Sequence, residues 1–446
     1  MSNENKVGFV SLGCPKATVD SEHIVTSLLD RGYDVVDAEQ GCELVVVNTC
    51  GFIDAARDES LQAIDDLLAQ GSRVVVTGCL GAERAQLTQR FPQLEYISGP
   101  ADVAPVLAAV EHYQPRPPAP DLMAQYTGHE RVRLTPDHYA YLKISEGCNH
   151  KCSFCIIPSM RGKLNSRGLT DIVQEAHAAV ENGAQELLLI AQDLSAYGLD
   201  LRYESTDQSG ESVTTDLYHL VQALGGIAPW LRLHYVYPYP SVDKLIPLMA
   251  EGKVLPYLDM PLQHAAPGIL KAMRRPAAAE KTLERLSRWR EICPELSIRS
   301  TFIVGFPGET EEDVGVLLDF LSEAQLDRVG CFTYSPVDGA RANALDGHLD
   351  ERDKLDRQES VYELQAGISA SRLQRHIGSR MRVLVDSAEG DTAQGRSQFD
   401  APEIDGVVYL DQAEGVAAGE FVWANITAAD AHDLHGDVLG TELSLH

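Results

Sequence analysis

Cys148, Cys152 and Cys155, in the run GCNHKCSFC, follow directly on the apolar segment Ala140–Ile144 and constrain this chain more than any other stretch. The spacing C-x3-C-x2-C brings three thiolates close enough to grip three irons of a 4Fe-4S cubane, and soft thiolate is the ligand such clusters take. With no fourth cysteine nearby, one iron would keep an open position, a place for chemistry and not only for electron storage. A zinc site is the other reading, although zinc usually pairs two such hooks to close a tetrahedron.

The chain has 446 residues, enough for about three domains by length, and 44% hydrophobic residues suffice for real cores. It has no apolar run long enough to span a bilayer. The opening MSNENKVGFVSLGC lacks the basic and apolar parts of a secretory signal, so a cytoplasmic protein with no membrane attachment is expected. In that compartment nine cysteines argue for metal ligation or catalysis before disulfides. The charge is lopsided: 37 Lys and Arg against 66 Asp and Glu leave a net −29. Such a chain repels polyanions at long range and attracts basic partners. Charge alone is also what a solvated acidic surface would give.

An α/β multidomain protein is expected. Residues 5–115 alternate β-rich runs (Val7–Leu12, Leu44–Asn48, Arg73–Thr77) with helical stretches (Ser21–Arg31, Ala55–Ala69), the pattern of a doubly wound parallel sheet. Each strand runs into a cysteine: Cys14, Cys50 and Cys79. Ligands of open α/β sheets sit beyond the carboxyl ends of strands, so these three can meet at one point and form a second three-thiolate site. The plainer reading is three small buried residues, since free cysteine is often core. Tyr113–Pro120 reads as a stiff Pro-rich linker. Residues 134–371 hold six βα-like units, with strands at 140–147, 186–192, 231–237, 257–262, 297–305 and 327–334 and a helix around Thr170–Glu181, predicting a partial (βα)6 barrel of TIM kind. A charged helix near Asp350–Arg375 closes it. Residues 374–442 read as a small antiparallel β-barrel.

The hook after a first barrel strand resembles the radical S-adenosylmethionine superfamily. With the N-terminal cysteine trio and a terminal barrel similar to a TRAM domain, almost the whole chain resembles the methylthiotransferases. The resemblance implies two 4Fe-4S clusters and S-adenosylmethionine as cofactors. One cluster, at Cys148, Cys152 and Cys155, would bind S-adenosylmethionine through its open iron and cleave it to a 5′-deoxyadenosyl radical that takes hydrogen from an unactivated carbon. The other, at Cys14, Cys50 and Cys79, would hold the sulfur that is donated as a methylthio group. The resemblance also implies that Phe154 packs the adenine, that Gln192 and Asp193 contact the methionine end, and that Arg299, Gly305 and Gly308, in the strand and turn RSTFIVGFPGET, hold the adenosyl part. Arg161-Gly162, Ser166-Arg167 and Pro261–His264 match the family as well. Cys42, Cys293 and Cys331 read as ordinary buried thiols, and His432 and His435 as part of an exposed acidic loop.

Members of this family divide between adenosines of transfer RNA and an aspartate of the twelfth small-subunit ribosomal protein. From Val383 to His446 one basic residue, Arg396, faces thirteen acids. That balance opposes direct tRNA binding and favours a basic ribosomal protein, free or in the ribosome. The run GRSQFDAPEIDG at 395–406 also resembles the ribosomal-protein branch. The expected reaction is methylthiolation of the aspartate β-carbon, with an external electron donor. The alternatives are a tRNA adenosine methylthiotransferase, a non-enzymatic iron–sulfur or zinc protein, and an RNA-binding module with structural clusters.

Overall fold

A computed structural model describes residues 5–38, 42–115, 131–208, 211–275 and 279–441. The expected linker lies outside these residues from 116 on, and its first residue, Tyr113, ends the helix Val103–Tyr113. Among the described residues no helix is long and apolar enough to cross a membrane.

Strands β1 (Lys6–Ser11), β2 (Asp34–Asp37), β3 (Leu44–Thr49), β4 (Arg73–Gly78) and β5 (Tyr96–Ile97) form a parallel sheet in the order β2-β1-β3-β4-β5. The edge strands β2 and β5 are too short to leave a periodic signal. Alternation along the strands splits the valines between two faces. Val45, Val47, Val74 and Val76 pack on the helix Asp54–Ala69, while Leu44, Val46 and Val75 pack on Ile24 and Leu28 of α1 (Pro15–Asp30). Helix α1 starts at Pro15 instead of Ser21, because the fixed φ of proline suits the first helical position. Strand order reverses between β1 and β3, which opens a crevice beyond their carboxyl ends.

Six strands follow in sequence order as one parallel sheet: β6 (Tyr139–Lys143), β7 (Glu186–Ile190), β8 (Trp230–Leu233), β9 (Tyr257–Asp259), β10 (Ser297–Val304) and β11 (Arg328–Thr333). Its edges β6 and β11 do not pair, so the barrel stays open. The last strands, β12 (Arg380–Glu389), β13 (Thr392–Ser397), β14 (Val408–Asp411), β15 (Phe421–Ala429) and β16 (Leu434–Thr441), close into a small barrel in the order β12-β13-β14-β16-β15. It departs from the antiparallel expectation at one seam, where β14 and β16 run parallel. An odd number of strands cannot close with every neighbour antiparallel.

The run at 395–406 docks this small barrel onto the amino-terminal ends of the core strands. Glu186, fully buried at the start of β7, is held between Arg232 (2.6 Å) and Arg396. Arg232 also donates to the Gln398 carbonyl at 3.0 Å, and Asp400 pairs with Arg328. Asp405 accepts from the Tyr257 hydroxyl at 2.6 Å. Burial pushes the Glu186 carboxyl up, but Arg232 and Arg396 outweigh it and hold it below the usual carboxylate range. The small barrel therefore seals one end of the core and leaves the strand carboxyl ends open. Removing one partner of a buried ion cluster costs about 3–5 kcal/mol. Arg396→Met is expected to lose that much in urea denaturation, and a loss below about 1 kcal/mol would place the docking energy elsewhere.

Candidate active site

Cys14, Cys50 and Cys79 lie directly beyond β1, β3 and β4, at the crevice where strand order reverses. Their loops touch. A Cβ on Gly13 would stand 3.2 Å from the Cys50 Cβ and 3.5 Å from its Sγ, and one on Gly51 would stand 3.1 Å from the Leu80 Cα. Gly78 turns β4 into Cys79 at φ +94°, where a side chain would meet the Asn48 Oδ1 at 2.3 Å. Burial pushes the Cys14 thiol up, yet Lys16, the Ala17 amide and Arg161 together bring it below its ordinary value. Burial keeps Cys50 and Cys79 raised.

The second trio follows β6. Its loop is braced at Ser153, whose amide donates to the Met273 carbonyl (3.1 Å) and whose hydroxyl donates to the Ala272 carbonyl (2.7 Å). Burial pushes the Cys148 thiol up to about 11 and Cys155 up to about 12. Thiols so placed lose their protons when a metal takes over the sulfur. The His150 amide donates to the Cys148 Sγ at 3.4 Å. Its ring stacks on Tyr237 with centroids 4.0 Å apart, and its Nε2 lies 2.8 Å from the Asp193 Oδ2. Arg275 stands 4.0 Å from the Cys152 Sγ and lies over the same Tyr237 ring.

Two features join the trios. Arg161 ends α2 (Ile157–Arg161), just past Cys155. Its Nε reaches the Cys79 Sγ at 3.3 Å, while its fork pairs with Asp20 of α1 (3.2 Å) and with Glu146 (2.9 Å). Lys143 pairs with the same two carboxylates. The second feature is the loop after β8. Tyr235, held at φ +61°, carries the Lys16 ammonium 3.4 Å over its ring, and Tyr237 reaches His150. Burial opposes the charge on Lys16, but the Tyr235 phenol and the Cys14 thiolate hold its ammonium above the ordinary range.

Among the described residues no group of three or more His, Cys, Asp or Glu side chains is set around a single metal ion. Ligands of a cubane each take a different iron and stand further apart. Three thiols in each trio suit such a cluster with one corner left open.

The residues expected around S-adenosylmethionine divide. Phe154 is partly buried against Ala266, Ile269, Met273, Phe306, Tyr334 and Ala342, beside the cysteine loop. Gln192 donates to Glu146 (2.9 Å), and its Oε1 is buried without a protein partner, an acceptor open to a ligand. Asp193 is engaged by His150 and by the Ser195 amide. Gly305 and Gly308 adopt φ of +71° and +82°. At Gly305 the space a Cβ would take holds the Lys354 stem at 2.4 Å, so this glycine makes room for a helix and not only for a ligand. Arg299 is a correction. It lies near the start of β10, paired with Asp259 (3.0 Å) and Asp405 (3.3 Å) at the end that the small barrel seals. Cys42, Cys293 and Cys331 are buried. His435 lies in β16, stacked on Tyr409, while His432 is on the turn before it. Sequence reasoning passed over Lys16 and His150, whose only signal was adjacency to a cysteine. It also passed over Tyr235, Tyr237 and Arg275, which left no signal at all.

Residues 142–321 match the Radical SAM superfamily, 377–439 the TRAM domain and 6–99 the Uncharacterized protein family UPF0004. A protein of Alkalilimnicola ehrlichii named ribosomal protein uS12 methylthiotransferase RimO is 56% identical over 438 residues, 98% of this chain and 99% of that one. Proteins of the same name from Azoarcus sp. (56% identity, covering 97% of each chain) and Escherichia fergusonii (53% identity, covering 98% and 99%) align as fully. The chain belongs to the radical S-adenosylmethionine methylthiotransferases. A 4Fe-4S cluster and S-adenosylmethionine are the cofactors this family implies. The fold is also similar to that of the radical S-adenosylmethionine methyltransferase TsrM from Kitasatospora setae, with a TM-score of 0.53 at 15% identity over 86% of this chain and 79% of that one.

In this methylthiotransferase Arg161 is the tie between the two cysteine trios. Arg161→Met leaves the buried Asp20 and Glu146 to share Lys143 and is expected to cost about 3 kcal/mol in chemical denaturation. Arg161→Lys, which keeps charge but loses the fork, is expected to recover only part of it.

Proposed function

We propose that this enzyme methylthiolates the β-carbon of an aspartate in uS12, the ribosomal protein named by its relatives, using two 4Fe-4S clusters. The observation that carries this reading is the pair of three-cysteine loops joined by Arg161 and by the loop that holds Tyr235 and Tyr237. A single trio would account for the radical step alone. When bound, a cluster on Cys148, Cys152 and Cys155 supplies the electron that cleaves S-adenosylmethionine, and one on Cys14, Cys50 and Cys79 supplies an open iron for sulfur.

The residues have separate tasks. Phe154 offers an apolar wall for adenine, and the open acceptor of Gln192 suits the amino group of the methionine end. Asp193 fixes His150, and through its amide the Cys148 sulfur. The turn at Gly305 and Gly308 borders the adenosyl side.

Charge supports a protein substrate. Because β12 begins at Arg380, the small barrel gains Arg380 and Arg382, giving three basic residues against thirteen acids over 380–446. Asp386, Asp400, Glu403 and Asp405 bond within the barrel or to the core. Glu389, Asp391, Asp411 and Glu414 stay exposed at neighbouring turns, an acidic face that suits a basic ribosomal protein and opposes a phosphate backbone. An external donor reduces the clusters, and the enzyme acts in the cytoplasm.

With reconstituted protein and uS12, Cys152→Ala is expected to abolish S-adenosylmethionine cleavage. Cys50→Ala is expected to keep cleavage and stop sulfur insertion. Cleavage that survives Cys152→Ala would refute the assignment of the radical cluster.

A further inference from the structure

We propose that the Lys16 ammonium binds the side-chain carboxylate of the acceptor aspartate and so holds its β-carbon between the two cysteine trios. This rests on the reading of an aspartate substrate given above.

Four cations stand at the two trios, and they are not equivalent: Arg275 is engaged by the Pro261 carbonyl, the Tyr237 ring and the Cys152 sulfur. Lys143 and Arg161 share Asp20 and Glu146 between them. Lys16 has no carboxylate partner among the described residues: its neighbours are the Tyr235 ring, the Cys14 sulfur and Arg161. A lysine ammonium carries three donors, and the Tyr235 side chain, which meets it with its ring face and a hydrogen bond, leaves the others for a carboxylate. Half-buried beside the Cys14 sulfur, this cation keeps donors that a substrate carboxylate can take. Its place is fixed at both ends. Lys16 sits in the first turn of α1, two residues past Cys14. Tyr235 is pinned by its amide to the Asp259 Oδ2 (2.9 Å) and by its carbonyl to the Leu194 amide (3.1 Å). Two residues on, Tyr237 touches the other trio through His150. An aspartate carboxylate is one bond from its β-carbon, so gripping it aims the reacting C–H at both sites. A neutral adenine would present no such anion.

The test is binding of labelled uS12, and of uS12 with the acceptor aspartate changed to asparagine, to reconstituted wild-type, Lys16→Met and Lys16→Arg enzyme, with iron counted in each. Wild type is expected to prefer the aspartate form by about 10- to 100-fold. Lys16→Met is expected to lose that preference with its iron retained, and Lys16→Arg to keep most of it. Full preference in Lys16→Met would overturn the proposal. So would equal weakening toward both forms with loss of iron, which would make Lys16 a counter-charge for a cluster. If wild type binds neither form, the uS12 reading itself falls and this inference falls with it.

Discussion

The buried ion cluster of Arg161, Asp20, Glu146 and Lys143 is the contact on which the rest of the site depends. Asp20 comes from α1 of the N-terminal sheet, and the other three come from the core on either side of the cysteine hook. Each charge here is costly to remove from water alone, and only the full set repays that cost. The consequence is geometric. The cluster ties the N-terminal sheet to the core where Cys79 meets the guanidinium that follows Cys155. Two loops of three thiols, each sensible alone, are joined through one side chain.

The core is polarised along its strands. At their starting ends, Glu186, Arg232, Arg299 and Arg328 take part in ion pairs, most of them with the small barrel, so that end is closed. At the other end, loops carry the cysteines, His150, Gln192 and the tyrosines of the β8 loop. Parallel sheets concentrate chemistry at their carboxyl ends for this reason, because neighbouring loops there converge while the opposite end can be sealed. One cavity, of about 350 Å³, opens beside Tyr239, His264 and Arg275 on the chemical side.

Much of this was legible in the sequence, and what was hidden has physical causes. Cys14, Cys50 and Cys79 could be grouped because each ends a valine-rich strand, and strand ends converge. The hook could be placed because it follows an apolar run. The edge strands β2 and β5 were missed for want of length, and the start of α1 for want of weight given to Pro15. The run at 395–406 was read through family likeness alone, since its partners lie far away, Glu186 being 210 residues from Arg396. Arg299 was misplaced for a related reason. A strand known to border a ligand does not reveal which of its residues sits at which end. Lys16 and Tyr235 became visible only when the two units came together.

The most direct test of the account is mass spectrometry of small-subunit ribosomal proteins from cells with and without this gene. The account predicts a methylthio-sized mass on one aspartate peptide of uS12, present in the parent and absent from the deletion. An unchanged uS12 peptide, with a methylthioadenosine lost from tRNA instead, would contradict it.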